Sequence, residues 1–181
     1  MATVFSHVVS GLAIATLIPA PGSLQRCALV GALCAAVPDL DVTATWLGVP
    51  WGHVLGHRGI THSAAFAAAL AAVLAVTVFR GPAWNGRRGG LWLVLFLATA
   101  SHGVLDAMTT GGPGVAFFAP FDAGRYFLPW RPIPVSPLSP RRFFSQRGVD
   151  IMQAEVLLIW LPAAVLAAVG AGWRGSRKRR A

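Results

Sequence analysis

The chain has 181 residues, of which 55% are hydrophobic and 12% are charged, and its mean hydropathy is +0.63. Soluble domains carry about 25% charged residues, so this composition argues against a water-soluble fold or a disordered chain and predicts an integral membrane protein. The net charge of +9 does not indicate nucleic-acid binding, because the basic residues lie at the ends of apolar stretches and in the C-terminal tail, where they orient membrane helices.

Five apolar stretches predict an all-α bundle of about four or five transmembrane helices, since one crossing needs roughly 20 apolar residues. They cover residues 4–18, 24–37, 64–79, 91–105 and 151–173. The first stretch lacks a preceding basic segment and is followed by prolines, so it is expected to be retained rather than cleaved. The first two stretches are short and are expected to form a hairpin that turns at Pro19, Pro21 and Gly22. We expect one domain over residues 1–175 and a basic cytoplasmic tail over residues 176–181.

A segment rich in proline and aromatic residues separates the fourth and fifth stretches, over residues 109–150. Its prolines prevent long regular structure, and its aromatic residues and arginines suit the headgroup level of a membrane. We expect residues 111–145, which we call the cap, to form an ordered layer at the membrane surface. The alternative is a flexible connecting loop.

The basic residues predict the orientation of the chain if all five stretches cross the membrane. One face then collects nine basic residues and no acid, and the other face collects six basic residues with all six acids. The nine residues are Arg26, Arg80, Arg87, Arg88, Arg174, Arg177, Lys178, Arg179 and Arg180. Because cytoplasmic loops are enriched in Lys and Arg, we expect this face and the C-terminus to be cytoplasmic and the N-terminus to be outside.

Most of the histidines and aspartates lie at those ends of the stretches that meet on the outer face. These residues are His7, Asp39, Asp41, His57, His62, His102 and Asp106. Ionisable side chains at membrane depth are costly and are functional by default. Imidazole nitrogens mixed with carboxylate oxygens suit Zn²⁺, and also Mn²⁺ or Fe²⁺. The pattern therefore predicts a site for one or two divalent transition-metal ions, with some of these residues acting behind the direct ligands.

Two pairs of residues contribute carboxylates to this site. His102 and Asp106 are four residues apart and share one helix face, where they either bind one metal or form a buried hydrogen bond. Asp39 and Asp41 follow Pro38 at the end of the second stretch. One of these two carboxylates can instead cap a turn of the backbone.

A turn at residues 57–62 contributes two histidines at the start of the third stretch. Gly59 allows the bend, and Thr61 is the predicted N-cap of the following helix. His57 and His62 suit a metal site here, the alternative being two interfacial rings bound to backbone groups. Arg58, which lies between them, is expected to bind an anionic oxygen such as that of a phosphate, with a contact to a headgroup or helix end as the alternative.

The expected chemistry is activation of a bound water to hydroxide, with Asp41 or Asp106 as base or orienting group and Arg58 contacting the substrate. Glu155 is a further acid or base unless it pairs with an arginine of the cap. His53 is expected at the surface or behind the ligands.

Four segments together resemble the YdjM-like family of membrane-bound, predicted metal-dependent hydrolases, the LexA-regulated inner-membrane type. They are Ser6-His7 with Gly11, Pro38-Asp39-Leu40-Asp41, the His-Arg-Gly-Ile-Thr-His-Ser run at residues 57–63, and Ser101-His102 with Asp106. The run at residues 57–63 is the most specific part, and the resemblance covers most of the chain. It implies a small protein of the bacterial inner membrane with a metal site built from these positions.

The combined interpretation is a membrane-embedded, metal-dependent hydrolase that acts on a lipid-like amphiphile, such as a phosphoester, at the outer interface. Its expected partners are the bilayer and the amphiphile, and the most suitable metal is zinc. One alternative is a non-enzymatic metal-binding or metal-transport protein, and another is a bundle held together by structural zinc. A transporter is expected to carry polar residues deep in several helices, and the cytoplasmic halves of these stretches have few.

Overall fold

The computed structural model describes residues 1–18, 24–137 and 139–178, and the regular secondary structure of this part is helical apart from two isolated β-bridges. This confirms the predicted all-α membrane bundle. The predicted turn at Pro19, Pro21 and Gly22 lies outside the described residues. The α-helices are α1 Val4–Ala15, α2 Leu24–Ala36, α3 Val42–Trp46, α4 Ala64–Thr77, α5 Arg88–Ala107, α6 Pro140–Phe143, α7 Gln146–Glu155 and α8 Leu161–Lys178.

Three helical segments in the described part are long and apolar enough to cross a membrane, namely Leu24–Trp46, Arg88–Ala107 and Gln146–Ser176. The apolar helices α1 and α4 are shorter, with 12 and 14 residues. Helix α2 is itself short, with 13 residues, as expected, but a 3₁₀ segment over Val37–Asp41 joins it to α3 and gives a continuous segment of 23 residues. Pro38 lies in the first turn of the 3₁₀ segment. A backbone N–H at this position has no partner within the helix, so proline costs no hydrogen bond there. The chain therefore changes helix type at Pro38 and continues.

Helices α1 and α2 pack closely against each other. A Cβ added at Gly11 of α1 would overlap the carbonyl oxygen of Gly31 in α2, so glycine allows the two helix backbones to approach. Cys27 and Cys34 are free thiols that pack in the buried apolar core. Arg26 donates to the carbonyl of Val78 over 2.6 Å and brings the start of α2 beside the end of α4.

Helix α4 begins at Ala64, two residues later than an N-cap at Thr61 would imply. The Ser63 hydroxyl, and not that of Thr61, accepts a hydrogen bond from the amide of Phe66 over 3.1 Å. The prediction of Thr61 as the N-cap is therefore wrong. Its hydroxyl donates instead to Asp41 over 2.6 Å, because the 3₁₀ turn Ile60–His62 precedes the helix.

The cap is ordered and is bound to the helix ends by backbone hydrogen bonds. Ala116 donates to the carbonyl of Arg58 over 3.1 Å, and Leu128 donates to the carbonyl of Ala107 over 3.0 Å. The guanidinium of Arg125 binds four carbonyl oxygens in residues 51–58 at 2.9 to 3.3 Å. These contacts support the expected ordered layer over the alternative of a flexible loop.

Candidate metal centre

Four side chains of the metal-ligand type converge beneath the cap: Asp39, His62, His102 and Asp106. They come from the 3₁₀ segment after α2, the turn before α4, and the last two turns of α5. One ligand atom of each lies within 4.8 Å of the corresponding atoms of the other three. His62, His102 and Asp106 are buried, and the Asp39 side chain is 11% exposed.

The atoms through which these side chains face one another have no hydrogen-bond partner among the described residues. They are both carboxylate oxygens of Asp39, Nε2 of His62, Nε2 of His102 and Oδ2 of Asp106, the last of which is ion-paired with Arg58 Nε at 2.9 Å without an aligned hydrogen bond. His102 Nε2 lies 3.3 Å from Asp39 Oδ1, and His62 Nε2 lies 3.7 Å from Asp106 Oδ2, but neither pair is aligned as a hydrogen bond. Because buried polar atoms are normally satisfied, this donor set fits a cation.

Both imidazole rings are held through their other nitrogen. The Nδ1 atom of His102 lies 2.6 Å from the carbonyl oxygen of Ala35. Since a carbonyl only accepts, Nδ1 carries the proton and Nε2 presents its lone pair. The Nδ1 atom of His62 lies 3.1 Å from Asp41 Oδ2. This arrangement is typical of metal-binding histidines.

The charge around His62 also favours a cation. Burial lowers the pKa of His62, but the neighbouring carboxylates of Asp106 and Asp41 raise it to about 9. The carboxylates thus hold a proton on this ring. A metal ion binding at Nε2 has to replace such a proton.

The carboxylate of Asp41 is fully used by protein donors. Its Oδ1 atom lies 2.7 Å from His57 Nδ1, and its Oδ2 atom accepts from the Thr61 hydroxyl and from the backbone amide of Arg58 over 3.1 Å. Asp41, His57 and His62 form a second group with metal-binding distances. Because hydrogen bonds already occupy both oxygens, Asp41 orients the two histidine rings in this arrangement.

Arg58 contacts groups of the protein itself in the structure, whereas the sequence pattern predicts that it binds an anionic group of the substrate. Its Nε atom lies 2.9 Å from Asp106 Oδ2, and its terminal nitrogens donate to the Gly111 carbonyl and the Thr109 hydroxyl, each over 3.0 Å. The side chain is fully buried, so a clamp on a substrate oxygen would require it to give up these contacts. Its backbone φ of +62° is costly for a residue other than glycine and is typical of functional sites.

His7 lies directly beside the four converging side chains. Its ring stacks on that of His102, with centroids 3.6 Å apart, and its Nε2 atom lies 3.5 Å from Asp106 Oδ1. Neither of its ring nitrogens has a hydrogen-bond partner among the described residues. His7 is therefore placed to add a further donor. His53, in contrast, is exposed, and its ring accepts from the amide of Leu55, as expected for a surface residue.

Glu155 binds the start of α1 instead of an arginine of the cap. Its buried carboxylate accepts from the Thr3 amide over 2.8 Å, from the Thr3 hydroxyl, and from the Ser6 hydroxyl over 2.5 Å. The neighbouring amide of Ala2 donates to Asp106 Oδ1 over 2.8 Å. Sequence reasoning missed this link, for which the hydroxyl residues Thr3 and Ser6 at the start of the first apolar stretch were the available signal.

Comparisons with known proteins place the chain among inner membrane proteins. The model of the family described as YdjM inner membrane protein matches residues 1–179. The chain is also similar to the inner membrane protein YbcI of Escherichia coli (strain K12), with 37% identity over 169 residues, which cover 92% of this chain and 95% of YbcI. No solved structure matches the chain. The four converging side chains all lie within the matched residues.

Proposed function

Because the chain belongs to the YdjM family of inner membrane proteins, we propose that it is a membrane-embedded, metal-dependent hydrolase of a lipid-like amphiphile. One observation carries this proposal. In an integral inner-membrane protein, buried nitrogen and oxygen ligand atoms of Asp39, His62, His102 and Asp106 face one another without hydrogen-bond partners.

The donor set suits a borderline divalent ion. Two imidazole nitrogens and two carboxylate oxygens fit Zn²⁺ best and also accept Mn²⁺ or Fe²⁺. A bound ion would lower the pKa of a water molecule and polarise an ester or phosphoester oxygen. His7 would add a fifth donor, whereas Asp41 and His57 lie behind the ligands, because hydrogen bonds already occupy both oxygens of Asp41.

The residues around the ligands have separate tasks in this proposal. Asp41 fixes the ring of His62 through Nδ1, which is the usual work of a carboxylate behind a metal-binding histidine. Arg58 balances the charge of Asp106 and, through Thr109 and Gly111, joins the centre to the cap. If Asp106 leaves the ligand set during turnover, its carboxylate is the available general base.

The position of the centre favours an amphiphilic substrate. It lies beneath a cap whose aromatic side chains Phe118, Phe121 and Trp130 are exposed, as residues at a membrane interface are. A cavity of about 180 Å³ reaches His57 and Arg58 from the cap side. A polar head can enter there while its hydrocarbon part stays in the bilayer, and the charge distribution of the loops supports an outward position of this face.

The test is a hydrolysis assay on the purified, metal-loaded protein. Phospholipids, sphingolipids and polyprenyl phosphates are offered in detergent to the wild type, to His102→Ala, and to His53→Ala as a control for loss of an exposed histidine. We expect turnover of one class by the wild type and His53→Ala and none by His102→Ala. Equal turnover by His102→Ala, or metal flux in proteoliposomes without turnover of any class, would contradict the proposal.

A structural metal site is the second candidate, because four buried protein donors can complete a tetrahedral coordination sphere. In that case no coordination position remains open to water. Metal transport has less support, since the core cluster on the far side of the centre is apolar in the described residues, with Phe79, Leu91 and Leu95 at its middle. Detection of a water ligand on the metal separates the structural role from the catalytic one. X-ray absorption measures this for Zn²⁺, and electron spin echo measures it for a paramagnetic ion such as Mn²⁺.

A further inference from the structure

An apolar groove runs along α7 into the π-helical segment Val156–Trp160. It has a volume of about 820 Å³ and is lined by Phe143, Phe144, Val149, Met152 and Leu157, among others. This volume lies within the range of roughly 300–1,000 Å³ that is usual for ligand pockets. The membrane segment Gln146–Ser176 is only 17% buried within the protein, so the groove opens toward the lipid.

Two smaller, adjoining cavities lie between the groove and the residues beside the candidate metal centre. A cavity of about 320 Å³ shares Phe143 and Phe144 with the groove. It shares Met1 and Ser136 with the cavity of about 180 Å³ that is lined by His57 and Arg58. The three spaces thus form a series from the lipid-facing side of α7 to the arginine that is paired with Asp106.

The dimensions and charge of the groove match one lipid chain and its head. From Gly148 to Leu157 the helix rises about 14 Å at 1.5 Å per residue, which is about half of the ~30 Å hydrocarbon thickness. At its upper end lie Arg141, Arg142 and Arg147, all exposed. Basic residues at this level attract an anionic headgroup.

We infer that the groove holds a hydrocarbon chain of an anionic membrane amphiphile whose head extends toward His57 and Arg58. This inference rests on the proposed function, and it assigns the substrate as an anionic lipid with at least one long chain. Because the groove and the bilayer are equally apolar, the hydrophobic effect does not select the lipid. Selection comes from close packing in the groove and from the arginines at its upper end.

The test is photolabelling of the full-length protein in phosphatidylcholine vesicles that contain a minor fraction of phosphatidylglycerol with a diazirine in one acyl chain. The labelled residues are identified by mass spectrometry. Val149→Trp fills the groove, and Val165→Trp is the matched control, because Val165 is a lipid-exposed valine of α8 that does not line the groove. A phosphatidylcholine diazirine probe serves as the uncharged comparison.

We expect labelling to concentrate on Phe143, Phe144 and Met152, several-fold above that of residues around Val165. In Val149→Trp it should fall to the level at Val165, and in Val165→Trp it should stay unchanged. The anionic probe should label the groove more strongly than the phosphatidylcholine probe, and added salt should reduce this difference. Uniform labelling along α7 and α8 would overturn the inference.

The metal content of each sample separates this inference from the proposed function. If Val149→Trp keeps its metal but its labelling equals that of the wild type, the groove assignment alone fails. If the wild type binds no metal but its groove is labelled selectively, the proposed hydrolase fails and the lipid site stands.

Discussion

Replacement of Asp41 by asparagine distinguishes the direct metal ligands from the side chains that orient them. In the structure the carboxylate binds His57 Nδ1, His62 Nδ1, the Thr61 hydroxyl and the Arg58 amide. Asparagine keeps the shape but loses the charge and one acceptor. Removal of such an orienting group typically lowers metal affinity by 10- to 100-fold, which is about 1.4–2.7 kcal/mol. We expect this loss with an unchanged number of ions bound at saturating metal.

The assay is a competition titration with a chromophoric chelator in detergent, which gives affinity and stoichiometry together. Asp122→Asn is the matched control, because Asp122 is exposed in the cap, away from the candidate ligands, and accepts hydrogen bonds from the Tyr126 hydroxyl and the amide of Gly124. Asp39→Ala should lose bound metal even at saturation. If Asp41→Asn also lost bound metal at saturation, Asp41 would be a ligand, and if its affinity were unchanged, Asp41 would not orient His62.

Two further predictions concern charge. Arg58→Met should destabilise the metal-free protein by about 3–5 kcal/mol, because it leaves Asp106 buried without its cation, and the metal-loaded protein by clearly less. Unfolding with and without chelator measures both destabilisation values. The control is Arg131→Met, which loses a bond to a backbone carbonyl and should destabilise the metal-free and metal-loaded proteins equally. Equal destabilisation of the two forms by Arg58→Met would refute the reasoning. Reporter fusions should place the N-terminus outside and the C-terminus in the cytoplasm, and two cytoplasmic termini would contradict the orientation predicted from the nine-residue basic face.

The sequence was sufficient to predict which helix ends meet. His7 lies near the start of the first apolar stretch, Asp39 follows the second, and His102 lies near the end of the fourth. An up-and-down bundle therefore brings these three residues to one end. The structure has this arrangement, with His7 stacked on His102 and Asp39 beside it. Helix periodicity alone also puts His102 and Asp106 on one face.

The remaining features depend on contacts between distant residues. Pro38 is a stop signal by local propensity, but the 3₁₀ turn and α3 extend the helix beyond it. The partner of Arg58 is Asp106, which is 48 positions away in the sequence, and only the tertiary structure sets this pairing. The capture of Thr3 and Ser6 by Glu155 likewise requires α1 to pack against the π-helical segment.

Anomalous diffraction at the absorption edge of the bound metal tests the central claim most directly. Elemental analysis of the purified protein first identifies the ion and should find about one or two per chain. The account predicts an anomalous peak between Asp39, His62, His102 and Asp106, and its loss in His102→Ala. A metal-free protein with these side chains in the same positions, or a fully occupied metal bound elsewhere, would contradict it.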